Sequence, residues 1–436
     1  MKIKRLNLYT YILYIMFTAY MLGPALSFKI GVPRIDNPLS LLFVLIGLAV
    51  FFLEGKHIPR KIFVMLCALA AMCIWPAIHM GITSLIPTQY MDILFFMAVP
   101  VFFYLFYQVL MRAENPLGVI QKFLLVFALY VAIPPFVELI TGIQFVSASD
   151  ELAIKEGSLK GLFFNPNNLA ATAVCLAPAI LFFFQLQGRK HKEKLLGWGL
   201  YLLLGMAIFV CVSRTAIACY LLISLIYIAY RKNGFITVIA TGLLALTLSM
   251  IPSRVIAEFL LSLNGNPFLE RFSSRVYLFL FDLDSDNSVS YRQEIYNYFW
   301  NNPPLLLTGY GPKNFRDYFG GHLSNSLGFE NPHSFIIELY LGFGIISLLG
   351  FIAFVAFYFL YTTSSRALTN KSRGLAWVTL GFFLLAGFIP STILRMPFIW
   401  LSCLLIFIHS VFVAPKLKDM AAYAYNETLY DTKKPS

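Results

Sequence analysis

The chain has 436 residues, 59% of them hydrophobic and only 12% charged, with a net charge of +12. Soluble domains carry about 25% charged residues, so a water-soluble globular fold is excluded and lipid is the expected solvent. Backbone groups in lipid must bond one another, which leaves helices or a closed barrel; apolar runs of roughly 20 residues fit helices, not barrel strands of about ten.

In chain order, hydropathy predicts an all-α polytopic membrane protein with about twelve transmembrane helices. They fall at 9–28, 38–54, 62–81, 92–111, 118–141, 168–187, 195–212, 215–230, 235–251, 334–361, 374–394 and 397–414. The first follows "MKIKR", as in a signal peptide. Its apolar run is longer than a signal-peptide core, so an uncleaved helix is expected. A cytoplasmic N-terminus puts most Lys and Arg inside, at Lys2, Lys4 and Arg5, then 56–61, Arg112 and Lys122, 189–194, 231–232, 366–373 and the tail. The positive charge is then a topological signal, and nucleic acid is not an expected partner. All six cysteines (Cys67, Cys73, Cys175, Cys211, Cys219 and Cys403) fall inside spans. That excludes a disulfide framework and a zinc pattern, and no metal is expected.

The expected organisation is N-terminal helices with a first outer loop (1–160), helices bearing polar motifs (161–251), a large extracytoplasmic loop (252–333), C-terminal helices (334–414) and a cytoplasmic tail (415–436). A loop of about eighty residues is uncommon without a function. Within it Val255, Ile256, Phe259, Leu260 and Leu263 recur at helical spacing, as do Tyr291, Ile295, Tyr298 and Phe299. Both stretches read as amphipathic helices lying on the membrane or capping the bundle.

Polar groups at membrane depth are expensive and tend to be functional. In "GLFFNPNNLAATA", Asn165, Pro166, Asn167 and Asn168 stand where the chain re-enters the bilayer. One Asn is a routine N-cap and Pro suits a helix start. The surplus amides suit a sugar or a phosphate. In "VSRTA", Ser213 and Arg214 occupy a tight outer turn. Arg214 either snorkels to headgroups or binds an anion through its planar fork.

The large loop carries Arg292 in "SYRQEIYNYFW", then Gly309, Tyr310 and Gly311. The glycines permit a close backbone approach, but no βαβ unit makes them a dinucleotide site. His333 and Ser334 stand at the start of the next span, with Glu338 inside it and His322 as a competing histidine. Imidazole near its working pH suits a general base as well as a simple helix-start residue. "FDLDSDNSVS" places Asp282, Asp284 and Asp286 in alternation, but lacks the Gly and the final Glu of a calcium loop.

In this order the motifs resemble the O-antigen ligase and polymerase superfamily of bacterial membrane glycosyltransferases. That family's hallmark is His, then Asn, Ser or Gln, nine residues, Gly, two residues, and Gly, Thr or Tyr. Here it reads His333, Ser334, nine residues, Gly344, Ile345, Ile346, with Ser347 departing at the last position. "FNPNNLA", "SRTA" between two spans and an Arg before "GYG" complete the likeness, which covers about 160–350.

The resemblance implies a multi-pass protein of the bacterial cytoplasmic membrane with an extracytoplasmic site and no cofactor. Its donor would be a glycan on polyprenyl diphosphate and its acceptor a glycan or lipid hydroxyl, with a flippase and a chain-length regulator as partners. His333, Arg214 and Arg292 would be catalytic; Asn165, Asn167, Ser213, Tyr310, Ser334 and Glu338 would bind substrate. A polymerase of capsule, exopolysaccharide or teichuronic-acid type is favoured over a ligase. A flippase explains the helices but not the large outer loop.

Overall fold

The computed structural model of the chain describes residues 2–31, 36–54, 58–82, 87–146, 159–187, 190–211, 213–231, 252–263, 287–304, 309–311, 334–389 and 396–420, with 270, 273, 277, 307, 318, 319 and 332. These form helices α1 (Lys2–Ile30), α2 (Asp36–Glu54), α3 (Arg60–Ile82), α4 (Pro87–Arg112), α5 (Pro116–Thr141), α6 (Pro166–Leu186), α7 (His191–Val210), α8 (Arg214–Arg231), α9 (Ser253–Ser262), α10 (Asn287–Asn301), α11 (Phe335–Ser364), α12 (Asn370–Ala386) and α13 (Pro397–Met420). No strand occurs among the described residues.

Seven of these helices are long and apolar enough to cross a membrane, and α2, α4 and α8 carry shorter apolar stretches. The chain is an all-α multi-pass membrane protein. Every expected span except 235–251 coincides with a helix, and 235–251 lies outside the described residues. The span expected at 374–394 stops earlier, at Ala386. Gly387 follows, and Pro390 three residues on has no N–H with which to continue a helix.

Local chemistry sets several starts. Asn115 and Asn165 cap α5 and α6, and each is followed by a Pro whose missing N–H is no loss at the first helical position. Helices α6, α7 and α8 zigzag. Gln185 at the end of α6 donates to the carbonyl of Lys194 at 2.6 Å, and Tyr201 of α7 meets Ser224 of α8 at 2.7 Å. The starts of α6 and α8 therefore share one end of the bundle. Gln187 reaches Ser372 at 3.0 Å, and Tyr230 packs on Gly374, so α12 runs antiparallel to both.

Helix α6 is almost wholly buried and forms the centre of the bundle. Beside it, Trp400 of α13 is fully buried among Phe96, Phe335, Phe351, Phe354 and Phe383. Such edge and tilted ring pairs add to the packing of a core that lipid alone does not drive together. Helix α11 lies antiparallel to α3. The Ser347 hydroxyl donates to the Met72 carbonyl at 3.2 Å, Gly350 faces the Ala68 carbonyl, and Lys61 lies over the Tyr361 ring. The small residues let the backbones close in.

At the far end of the bundle the Glu54 carboxylate takes hydrogen bonds from Arg5 at 3.1 Å, Tyr9 at 2.7 Å and Arg112 at 2.8 Å. Lys416 donates to the last turn of α4 through the Met111 carbonyl at 3.1 Å. Both expected amphipathic stretches are helical. Helix α9 buries Leu260 and leaves Val255, Phe259 and Leu261 exposed; α10 buries Ile295 and Phe299.

Candidate functional site

The polar motifs converge because of how the helix ends are tied. The N–H of Phe335 donates to the Gly387 carbonyl at 3.0 Å, joining the start of α11 to the end of α12. Since α12 runs antiparallel to α6 and α8, the starts of α6, α8 and α11 lie together. Ring contacts extend the same end: Phe163 meets Phe398 at 5.8 Å, and Phe335 meets Trp400 at 5.8 Å. Asn165, Ser213, Arg214, Ser334 and Glu338 thus share one end of the molecule.

Each has a definite local role. Asn165 is the N-cap of α6, its Oδ1 accepting the Asn167 N–H at 2.8 Å. The cap engages Asn165 and the backbone of Asn167, as the simpler sequence reading held. The surplus amide is Asn168, whose Oδ1 is buried with no hydrogen-bond partner among the described residues. Ser213 is buried and its carbonyl accepts from Ile217 at 2.9 Å, which starts α8. Arg214 is the first residue of that helix, half-buried and in contact with its surroundings. Ser334 is buried, and its hydroxyl makes no capping bond to α11. Glu338 is buried in the first turn of α11, where the helix N-terminus favours negative charge.

Helix α10 packs on this end through α11. Ile295 and Phe299 pack with Ile337 and Leu341 of α11 and with Tyr318 and Phe319. Arg292 precedes Ile295 by three residues and Phe299 by seven, so it lies on the face of α10 turned toward α11. It is half-buried and acts electrostatically on Tyr296 one turn on; burial raises the Tyr296 phenol above its usual range and Arg292 opposes that rise.

The "GYG" segment meets α11 at a break. Gly344 has φ 81° and ψ −174° in the middle of the helix, which interrupts the backbone ladder. The Leu341 carbonyl accepts from Tyr310 at 2.7 Å and the Gly342 carbonyl from Gly311 at 2.9 Å. A methyl group on Gly309 would stand 2.2 Å from the Gly342 carbonyl carbon, and one on Gly344 would stand 2.4 Å from the Leu307 oxygen. The two backbones touch because neither glycine has a side chain. Tyr310 packs its ring beside Tyr318, so its visible role is to hold this joint.

Sequence reasoning missed Glu138 and Lys160. The buried Glu138 carboxylate at the end of α5 accepts three backbone N–H groups: Phe145 at 3.2 Å, Lys160 at 2.9 Å and Gly161 at 2.6 Å. Lys160 is only 2% exposed. Burial lowers its ammonium from the usual lysine range, and the Glu138 charge partly restores it. Gly161, at φ 56°, lies against Pro134 and Pro135. This clamp leads the chain into Asn165. The signal was a carboxylate inside an apolar span, which needs partners.

His333, His322 and residues 281–286 lie outside the described residues. The sequence-predicted candidates Asn165, Asn167, Ser213, Arg214, Ser334 and Glu338 thus lie at one bundle end, with Arg292 and Tyr310 on segments packed against α11. In comparisons with known proteins, no family model matches this chain and no curated relative does.

Proposed function

We propose that this protein polymerises polyprenyl-diphosphate-linked oligosaccharide repeats into a cell-surface polysaccharide. The reaction would take place at the outer face of a bacterial cytoplasmic membrane. On this reading the chain crosses the membrane about twelve times, with both termini in the cytoplasm. One observation carries it: two arginines, Arg214 at a helix start and Arg292 on a docked outer helix, are held at the same end of an apolar bundle. A lipid-linked diphosphate has the matching shape, anionic at the surface and apolar below.

The chemistry follows from the residue types. The acceptor hydroxyl oxygen bonds to the anomeric carbon while the bond from that carbon to the diphosphate oxygen breaks. The hydroxyl proton passes to the His333 imidazole. Negative charge grows on the departing diphosphate, and the guanidinium groups of Arg214 and Arg292 stabilise it through paired N–H donors. Asn165, Asn167, Ser213, Ser334, Tyr310 and Glu338 would shape the sugar and diphosphate pocket.

The test is glycan analysis in a deletion strain complemented with wild type, Arg214→Ala or His333→Ala. Single repeats without long chains support the polymerase. Long chains stranded on the polyprenyl carrier would instead assign a ligase. Normal glycans from both variants would overturn the site, and normal glycans in the deletion itself would return the question to a transporter.

A further inference from the structure

At the end of the bundle opposite Arg214, three elements enclose a cleft of ≈ 280 Å³. The start of α3 contributes Lys61, the end of α11 and its following turn contribute Tyr361 and Arg366, and the last turns of α13 contribute Pro415, Lys418 and Asp419. Lys61, Arg366 and Lys418 set three cations against the single carboxylate of Asp419 in this wall.

The wall is built rather than incidental. The Ser365 hydroxyl is committed to the Ser410 carbonyl at 2.5 Å, which ties the α11 turn to α13. Arg373 donates to the Ser365 carbonyl at 3.1 Å from the other side. Lys61 is held over the Tyr361 ring at 5.5 Å, which places its ammonium at the cleft. The α11 and α13 helix ends present carbonyls here and would repel an anion, while the α3 start would attract one. The cations decide the balance. The rest of the lining mixes apolar groups, from the Tyr361 ring, Ala367, Val411 and Pro415, with Ser364 and Ser365. A cationic cleft at the ends of three helices apolar enough to cross a membrane lies where lipid headgroups lie, which suits an anionic headgroup better than a free ion.

We infer that this cleft binds a phosphate-bearing anion, the headgroup of an anionic phospholipid. The site is separate from the glycan-transfer site and does not depend on that reading. Its role would be to seat the α3, α11 and α13 ends in the bilayer, joining the break at Gly344 to a lipid through one continuous helix.

The test uses the purified full chain in detergent. Thermal unfolding is followed while phosphatidylglycerol, phosphatidylcholine or inorganic phosphate is added at matched ionic strength. The expected result is saturable stabilisation by phosphatidylglycerol alone. In a variant combining Lys61→Gln, Arg366→Gln and Lys418→Gln the apparent affinity should fall about fivefold for each cation removed. Asp419→Asn should tighten binding by a similar single factor, and it serves if the triple variant does not fold. Equal effects of the two lipids, or no change in Asp419→Asn, would overturn the inference. Stabilisation by inorganic phosphate as strong as by phosphatidylglycerol would overturn the lipid assignment in favour of a soluble phosphate.

Discussion

The backbone N–H of Tyr310 donates to the Leu341 carbonyl at 2.7 Å, and this bond joins the 309–311 segment to a break in helix α11. Breaking a helix at Gly344 frees carbonyls that lipid cannot satisfy. The 309–311 segment supplies the missing donors from Tyr310 and Gly311. The break and the docked segment are thus one feature, beside which α10 packs on α11 through Ile295 and Phe299.

That joint is testable through its glycines. Gly344→Ala should destabilise the protein by about 2 kcal/mol or more, from a left-handed φ together with a clash at the Leu307 carbonyl. Gly309→Ala should do the same through the Gly342 backbone. Gly381→Ala in α12 meets open space and should be neutral or slightly stabilising. Thermal unfolding in detergent checks all three. A silent Gly344→Ala would remove the backbone contact from the account.

Glu138 offers a second test. Gln in its place has one oxygen and one amide, so at least one of the three N–H donors now held by Glu138 would face another donor. The expected cost is about 1–3 kcal/mol for the mismatch, and more from leaving Lys160 without its opposing charge. Expression yield and unfolding temperature in detergent report it. Wild-type behaviour would mean the clamp is not needed to hold 160–165.

Lys160 predicts a pH dependence with a definite sign. Its folded ammonium is held below the ordinary value of 10.5 by burial. The unfolded chain therefore takes up this proton first as pH falls, and the fold loses stability over the window below 10.5. Stability of wild type relative to Lys160→Met should rise with pH through that window and level off above it. A flat difference in unfolding temperature would place the ammonium in a solvated position.

Capping and substrate binding separate at Asn165. Asn165→Ala should cost about 1 kcal/mol by removing the cap. Asn165→Asp keeps an oxygen for the Asn167 N–H and should preserve stability, while its charge would repel a diphosphate held nearby. Glycan transfer near the wild-type level in Asn165→Asp would confine the residue to its structural role.

Arg214→Lys keeps the charge of the wild type but not its planar fork, and should recover little of the polymer lost in Arg214→Ala. Full recovery would point to a simple positive charge at the start of α8. Arg292→Lys is expected to behave alike, with α10 still docked because Ile295 and Phe299 carry the packing. Polymer length against membrane-inserted protein is the measurement.

Much of this molecule is legible in its sequence. Apolar runs alone located the helices, because a span in lipid has no other way to satisfy its backbone. The Asn-Pro pair at 165–166 marked a helix start for reasons of local chemistry. The glycine spacing at 309–311 and 344 could be seen, but not that these glycines touch, since that contact joins segments distant in sequence. Glu138 and Lys160 were missed for the same reason: their meaning comes from partners seven to twenty-three residues away. Composition decided what the chain is dissolved in and where it turns helical. Only the tertiary structure decided which polar residues share an end, because helix pairing in lipid depends on side-chain packing and not on hydropathy.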